Sequence, residues 1–204
     1  NGRSSIEILL RRLSKAKKID KIVVVVPKKE KNLLLIKIIK KLKFNIFFGS
    51  EKDLLDRFYQ AAKKHKAKTI VRITGDCPLI DPNLVDETIN LFKKTKSDYT
   101  SNNEEQPYPD GMDVEVTSFS LLRKAWKESC KSSDREHVTP FISRLKNIKK
   151  TNLKSKKNYD HLRLTLDEKE DLEVISSIFK NFAPSIFFSL KYTFRSSLLS
   201  AVIS

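Results

Sequence analysis

The sequence predicts an α/β protein of three layers, with helices on both faces of a mostly parallel, mixed sheet. Two observations carry this. β-Branched runs alternate with helical patterns along the chain, as successive βαβ units do. The run IVVVV at 22–26 is continuously apolar, as a strand covered on both faces must be. A length of 204 residues suits one domain with a full-sized core, and 39% apolar residues separate the chain from disordered sequences.

Ser4 and Glu7 form an S-x-x-E capping box. Ile6, Leu9, Leu10 and Leu13 then recur at the spacing of a core-facing helix over 4–14. After the strand at 22–26 comes a helix whose apolar stripe is Leu35, Ile38, Ile39 and Leu42. Residues 44–48 read as another strand. Gly49 turns out of it, and Ser50 is placed to cap a helix through Leu54, Leu55, Phe58 and Ala62. Ile70, Val71 and Ile73 mark a buried strand over 69–74, around which the rest is arranged.

Gly75 permits a sharp turn after that strand. Asp76 then emerges at the carboxyl end, where open α/β sheets bind ligands. Asp76 is equally suited to cap the turn with its own side chain. Asp81-Pro82 reads as an N-cap followed by Pro at the first position of a helix over 82–95. A short strand at 98–102, an irregular loop at 103–111 and a strand at 112–117 follow. In the last, Met112, Val114 and Val116 alternate with Asp113, Glu115 and Thr117, which suits an antiparallel strand with one polar face. Helices are expected at 121–130 and at 134–145, the second with a capping box from Ser133 to Glu136. Residues 149–158 read as a polar, lysine-rich connection, 162–166 as the last strand and 168–182 as the last helix.

A net charge of +16 raises the question of nucleic acid, so its distribution matters. Residues 69–122 are themselves acidic, with 10 Asp+Glu against 4 Lys+Arg. The lysines elsewhere fall on the polar sides of helical patterns, without the aromatic interleaving of a base-stacking surface. No specific nucleic-acid partner is expected. The opening residues lack the apolar core of a signal peptide, and the stretch at 185–204 is broken by Lys191 and Arg195, so no membrane span is expected. Two cysteines, Cys77 and Cys130, form no disulfide framework and suit a cytoplasmic setting.

Five stretches occur in a fixed order: GSEKDLLDRFYQAA (49–62), VRITGDCPLIDP (71–82), PYPDGMDVEV (107–116), SDREHVTPFI (133–142) and LRLTLDEKEDLEVI (162–175). Together they resemble the cytidylyltransferase family that includes the spore-coat polysaccharide cytidylyltransferases, with CMP-3-deoxy-manno-octulosonate synthetases as more distant relatives. The resemblance implies the three-layer nucleotide-diphospho-sugar transferase fold, which is Rossmann-like. It also implies transfer of CMP from CTP to a sugar or sugar acid with release of pyrophosphate, for surface polysaccharide or glycan synthesis. Mg²⁺ is the implied cofactor, CTP and a sugar acceptor are the implied partners, and a homodimer is compatible with the resemblance. Family members begin with a strand and a loop bearing Gly, Arg and Lys. Asn1-Gly2 matches residues leading into the first helix, and the only methionine is Met112. The expectation is therefore a domain over 1–187 lacking that strand and loop, with a divergent tail over 188–204.

Nucleotidyl transfer asks a protein to position an in-line attack and to neutralise phosphate charge. Asp76 and Asp167 each follow a predicted strand and can reach one sheet edge, and the resemblance makes both metal ligands. Asp167 also reads as an N-cap, with Glu170 completing a D-x-x-E box. Arg72 suits phosphate by guanidinium geometry. Beside Gly75, the Asp110-Gly111 turn and the carboxylates of Asp113 and Glu115 would shape the acceptor side; an exposed polar strand face explains them equally. Arg135 and His137 lie near a predicted helix N-terminus, as an anion site or as surface charges on a capped helix. Asp53 and Arg57 stand at i and i+4, as an ion pair or, by resemblance, as part of the nucleotide pocket. A Cys77 thiol nucleophile with His137 lacks any sign of an oriented base. Two other readings remain: a sugar-1-phosphate nucleotidyltransferase using another nucleoside triphosphate, and an inactive fragment serving only as a binding domain.

Overall fold

The computed structural model describes residues 2–28, 32–105, 107–182, 186 and 187. The expectations for the tail over 188–204 lie outside the described residues.

Helix α1 (Ser5–Leu13) begins where its cap predicts: the Ser4 hydroxyl accepts from the Glu7 amide at 3.3 Å. It buries Leu9, Leu10 and Leu13 together with Arg12. Strand β1 (Val23–Pro27), helix α2 (Leu33–Lys41) and strand β2 (Asn45–Gly49) form the first βαβ unit, β1 and β2 pairing in parallel from Val23–Asn45 to Pro27–Gly49. Helix α3 (Leu54–Lys64) is capped by Asp53, whose carboxylate accepts from the Asp56 amide at 2.8 Å. Ser50, expected as that cap, instead accepts from the Asp53 amide at 3.1 Å, one turn earlier.

Strand β3 (Thr69–Arg72) ends two residues short of the strand expected over 69–74, since Ile73 and Thr74 lie outside the ladder before the turn at Gly75 and Asp76. Helix α4 (Pro82–Thr95) starts at Asp81, as the Asp-Pro pair predicts, the Asp81 carboxylate accepting from Asn83 at 2.9 Å. Strands β4 (Tyr99–Ser101) and β5 (Glu115–Ser118) flank the irregular loop. Helix α5 (Phe119–Glu128) is capped by Ser118. The predicted helix at 134–145 is two: α6 (Ser132–His137) and α7 (Pro140–Arg144). Pro140 has no amide to donate back along a continuous helix, and the chain reverses at Val138, whose φ is 72°. The expected Ser133 cap is absent; Lys131 holds the N-cap position without a side-chain bond.

Strand β6 (Lys150–Asn152) falls inside the stretch read as a mere connection. Conversely, the strand expected at 162–166 reduces to one bridge, Arg163 to Asp110. Helix α8 (Lys169–Phe182) closes the described chain.

The four-stranded sheet runs β3-β5-β4-β6. Its β5 is antiparallel to both β3 and β4, while β4 and β6 are parallel, so β5 alone is reversed. The strand expected over 112–117 starts only at Glu115, and its antiparallel pairing is as expected. Strands β1 and β2 form a separate two-stranded sheet. Between the two lies an apolar slot of about 700 Å³, walled by Val23, Val24 and Val25 of β1 and by Ile70 and Val71 of β3, with Leu9 and Leu13 of α1 also lining it. Among the described residues, β1 pairs only with β2 and β3 only with β5, so each has one open edge. The main core joins α1, α4 and α8 around Val26, Leu79, Leu84, Met112, Val116 and Leu164. A second cluster packs α3 against α5 and α7 around Leu55, Leu122 and Ile142.

Candidate active site

The turn after β3 is fixed from below. Residues 77–80 are buried. Arg12, only 1% exposed, donates Nε to the Ile80 carbonyl and Nη2 to the Leu79 carbonyl, both at 3.0 Å, and Nη1 to Ile186 at 2.6 Å. Burial brings its guanidinium down to about 10, with Asp81 opposing the shift. Cys77 is buried beside Thr74, with their Sγ and Oγ1 atoms 2.9 Å apart, and burial pushes its thiol far above the usual range. A thiolate nucleophile at Cys77 is thereby excluded near neutral pH. Gly75 is exposed, and a Cβ there would meet nothing within 4 Å, so the backbone beside Asp76 is open to a ligand.

Three segments converge on this turn. The Leu166 amide donates to the Asp76 carbonyl at 2.9 Å, which brings Asp167 to the same sheet end as Asp76. The Asp110 amide donates to Leu162 at 3.0 Å and its carbonyl accepts from Leu164 at 2.7 Å, fastening the Pro-Asp-Gly turn to the same stretch. Gly111, with φ +92°, is required there: a Cβ would lie 2.5 Å from the Leu164 carbonyl carbon. Buried Asn102 spans the base of the loop, donating to the Met112 carbonyl at 2.9 Å and accepting from the Val114 amide at 2.7 Å. That pair of bonds sets the backbone on both sides of Asp113.

Asp113 is a carboxylate pushed upward by its setting. Burial raises it to about 6, and repulsion from Asp110 and Glu115, with a smaller part from Asp76, adds to the shift against the pull of Arg72. Glu115 is not free to take a sugar hydroxyl: it is 5% exposed, paired with Arg72, and accepts from the Tyr99 hydroxyl at 2.5 Å. Burial and this neighbour push the Tyr99 phenol far upward. Arg72 thus stands as a cation among carboxylates.

Asp167 departs from its expected capping role. Asp171, rather than Glu170, accepts from the Asp167 and Glu168 amides, each at 2.9 Å. Arg163 donates to Asp171, Asp167 and Asp110 at 3.1, 2.9 and 3.4 Å. Sequence reasoning missed Arg163, Asp171 and Asn102. Their signal was weak, since a lone Arg in LRLTL and one acid in EKEDLE look like ordinary surface charge.

The remaining predicted residues form a second group. Asp53 pairs with Arg135, not with Arg57; Arg135 donates Nε and Nη2 to Asp53 Oδ2 at 2.8 and 2.5 Å and Nη1 to the Trp126 carbonyl at 2.6 Å. Arg57 packs its side chain over Gly49 and leaves Nε without a partner among the described residues. His137 ends α6 and is exposed. No hydrogen bond or ion pair joins this group to the Asp76 end among the described residues.

The mixed α/β sheet and the family match together make this chain a nucleotidyltransferase. Its family is specific: the cytidylyltransferase profile matches residues 1–186, and the chain belongs to that family. It is 38% identical over 183 residues to the uncharacterized protein MJ1063 of Methanocaldococcus jannaschii, covering 88% of this chain and 74% of that one. It is 32% identical over 145 residues to the spore coat polysaccharide biosynthesis protein SpsF of Bacillus subtilis, covering 67% of this chain and 58% of SpsF. A cytidylyltransferase structure from Leptospira borgpetersenii superposes with a TM-score of 0.88 at 30% identity, over 93% of this chain and 80% of that one. The fold is that of the nucleotide-diphospho-sugar transferases.

Proposed function

We propose that this cytidylyltransferase moves CMP from CTP to a sugar or sugar acid, releasing pyrophosphate, in the supply of activated sugars for surface polysaccharide. The observation that supports it best is the Leu166–Asp76 hydrogen bond, which brings Asp76 and Asp167 to one sheet end, with Asp110 fastened to the same stretch and Asp113 near enough to feel Asp76, Asp110 and the strand-borne cation Arg72. A triphosphate is repelled by such a set unless cations intervene. The donor set fits a hard divalent ion: carboxylate oxygens, few enough to leave positions for phosphate and water. Among the described residues no three His, Cys, Asp or Glu side chains come together to hold a metal ion, so the protein would supply two carboxylates and leave the other positions to phosphate and water. Asp76 and Asp167 would hold it, and a bound ion there neutralises charge on the triphosphate.

The chain's own groups do the rest. Arg72, anchored by Glu115, offsets charge on the phosphate side. The open backbone at Gly75 lets a phosphate approach the turn. The Asp113 carboxylate, ionised above about pH 6, accepts a hydrogen bond from the acceptor hydroxyl and orients its oxygen for attack. Asp110-Gly111 shapes the acceptor side. The proposal includes the slot: an extended segment seated between β1 and β3 would pair with both open edges and join the sheets. Arg72, Thr74 and Gly75 line the same slot, so such a strand would deliver its following residues to the phosphates.

The test is pyrophosphate release from CTP with Mg²⁺ and a panel of sugar acids and neutral sugars, using the chain alone and chains extended upstream. CTP-dependent release with one acceptor class is expected, strongest in an extended chain. Release from another nucleoside triphosphate with a sugar 1-phosphate, and none from CTP, would overturn the assignment.

A further inference from the structure

Arg163 sits where no ordinary surface arginine needs to be. Its backbone is held by the Asp110 bridge, with the Leu162 carbonyl and Leu164 amide on either side both bonded to Asp110. Its guanidinium has one partner that is doubly fixed and one that is not. Asp171 receives Nε at 3.1 Å and Nη2 at 3.2 Å, and it is itself anchored by the Asp167 and Glu168 amides. Asp167 receives only Nη2, at 2.9 Å, and its side chain is half exposed. The contact to Asp110 is longer, at 3.4 Å. Arg163 draws the Asp171 carboxylate well below its usual range, while the three acids hold the guanidinium up.

We propose that Arg163 is a positioning residue that serves as the internal counter-ion of Asp167, holding its carboxylate at the sheet end until a divalent ion displaces it. The inference rests on the reading of Asp76 and Asp167 as metal ligands. Its physical content is competition. Asp171 retains the guanidinium when the Asp167 contact is surrendered, so the arginine need not leave the site. A fixed positive charge beside the ion opposes binding by Coulomb repulsion, and it keeps two clustered acids from repelling one another when the ion is absent. An arginine of merely structural use would stabilise the fold slightly and leave cation affinity unchanged.

The probe is Mn²⁺ alone, counted as free and bound ion by electron paramagnetic resonance on the full chain without nucleotide. Arg163→Gln is expected to bind Mn²⁺ about three- to tenfold more tightly than the unaltered chain, by removal of one nearby charge. Arg163→Lys, which keeps the charge, should stay within about twofold. In Arg163→Gln combined with Asp167→Asn the gain should vanish. Circular-dichroism melts separate these effects from unfolding, and Arg163→Met is a second charge-free variant should Arg163→Gln melt early. Equal or weaker Mn²⁺ binding in a folded charge-free variant overturns the proposal. If Mn²⁺ binds but Asp76→Asn and Asp167→Asn change nothing, the metal-ligand reading itself fails, and this inference with it.

Discussion

Two regions carry arginine–carboxylate pairs that look alike in sequence, and they differ in what is left over once the pairs are made. In the α3–α5–α6 region the carboxylates are used internally, although Arg57 keeps a buried Nε without a partner among the described residues. Asp53 caps α3 and takes Arg135, Arg135 also takes the Trp126 carbonyl, and buried Asp134 takes Arg144 at 2.6 and 2.7 Å. Tyr59 stacks on Trp126 with centroids 4.2 Å apart, sealing the cluster. At the end of β3, Arg72 and Arg163 are outnumbered. Among the described residues the Asp113 carboxylate accepts no hydrogen bond, and the Asp76 carboxylate receives only a weak thiol contact at 3.5 Å. Satisfied charge is structure, whereas a surplus of one sign held by backbone bonds implies a ligand of the other sign.

The sharpest way to break this contrast is to neutralise one acid in each region. If Asp76 holds the metal as proposed, Asp76→Asn should lower turnover by about two orders of magnitude or more, with little change in melting. Asp53→Ala should do the reverse, costing about 1–2 kcal/mol through the lost α3 cap while leaving the KM for CTP unaltered. Steady-state kinetics paired with thermal melts decide it; a slow but stable Asp53→Ala enzyme would place the second region in the chemistry.

A smaller effect is expected at the joint between the acceptor turn and the 162–166 stretch. Gly111→Ala must take a positive φ and push against Leu164 backbone, for about 1–3 kcal/mol from the strained conformation before any clash is counted. Urea melts should show it, together with a loss of acceptor binding larger than the loss of CTP binding. An Ala variant as stable as the parent would mean that the turn and the stretch are not joined in solution.

The mildest test concerns pH. The Asp113 pKa is raised in the folded state, so between about pH 4 and 6 the folded chain holds a proton that the unfolded chain has released, and stability from this group falls as pH rises. Asp113→Asn should flatten that fall and raise stability at pH 7 by about 1–3 kcal/mol. If its melting profile parallels the parent's from pH 4 to 7, the carboxylate is not held in the strained acidic setting that distinguishes this end.

Local signals made the scaffold legible. The caps at Ser4 and Asp81 and the β-branched run of β1 depend on near neighbours in sequence and form as read, whereas the alternation over 112–117 yields a strand only from Glu115, with Glu115 and Thr117 buried. Strand β6 was not legible, because Lys150–Asn152 has no apolar face and is defined only by its parallel partner β4. The stretch at 162–166 misled for the opposite reason. Its alternation is real, yet its amides bond single carbonyls at Asp110 and Asp76 rather than a ladder. The acids themselves stood out in the motifs, but which of them are spent, as Glu115 and Asp53 are, depends on partners dozens of residues away.

Arg12 gives the molecule a dependence that runs between remote parts of the chain. One cation closes three carbonyls, two beneath the Asp76 turn and one at Ile186. Releasing Ile186 would strand part of a desolvated charge directly under the Asp76 turn, so local opening at residue 186 and disorder of the turn are thermodynamically linked. Amide hydrogen exchange should therefore report both as one cooperative unit, with Ile80 and Ile186 gaining or losing protection together, although 106 positions separate them in sequence.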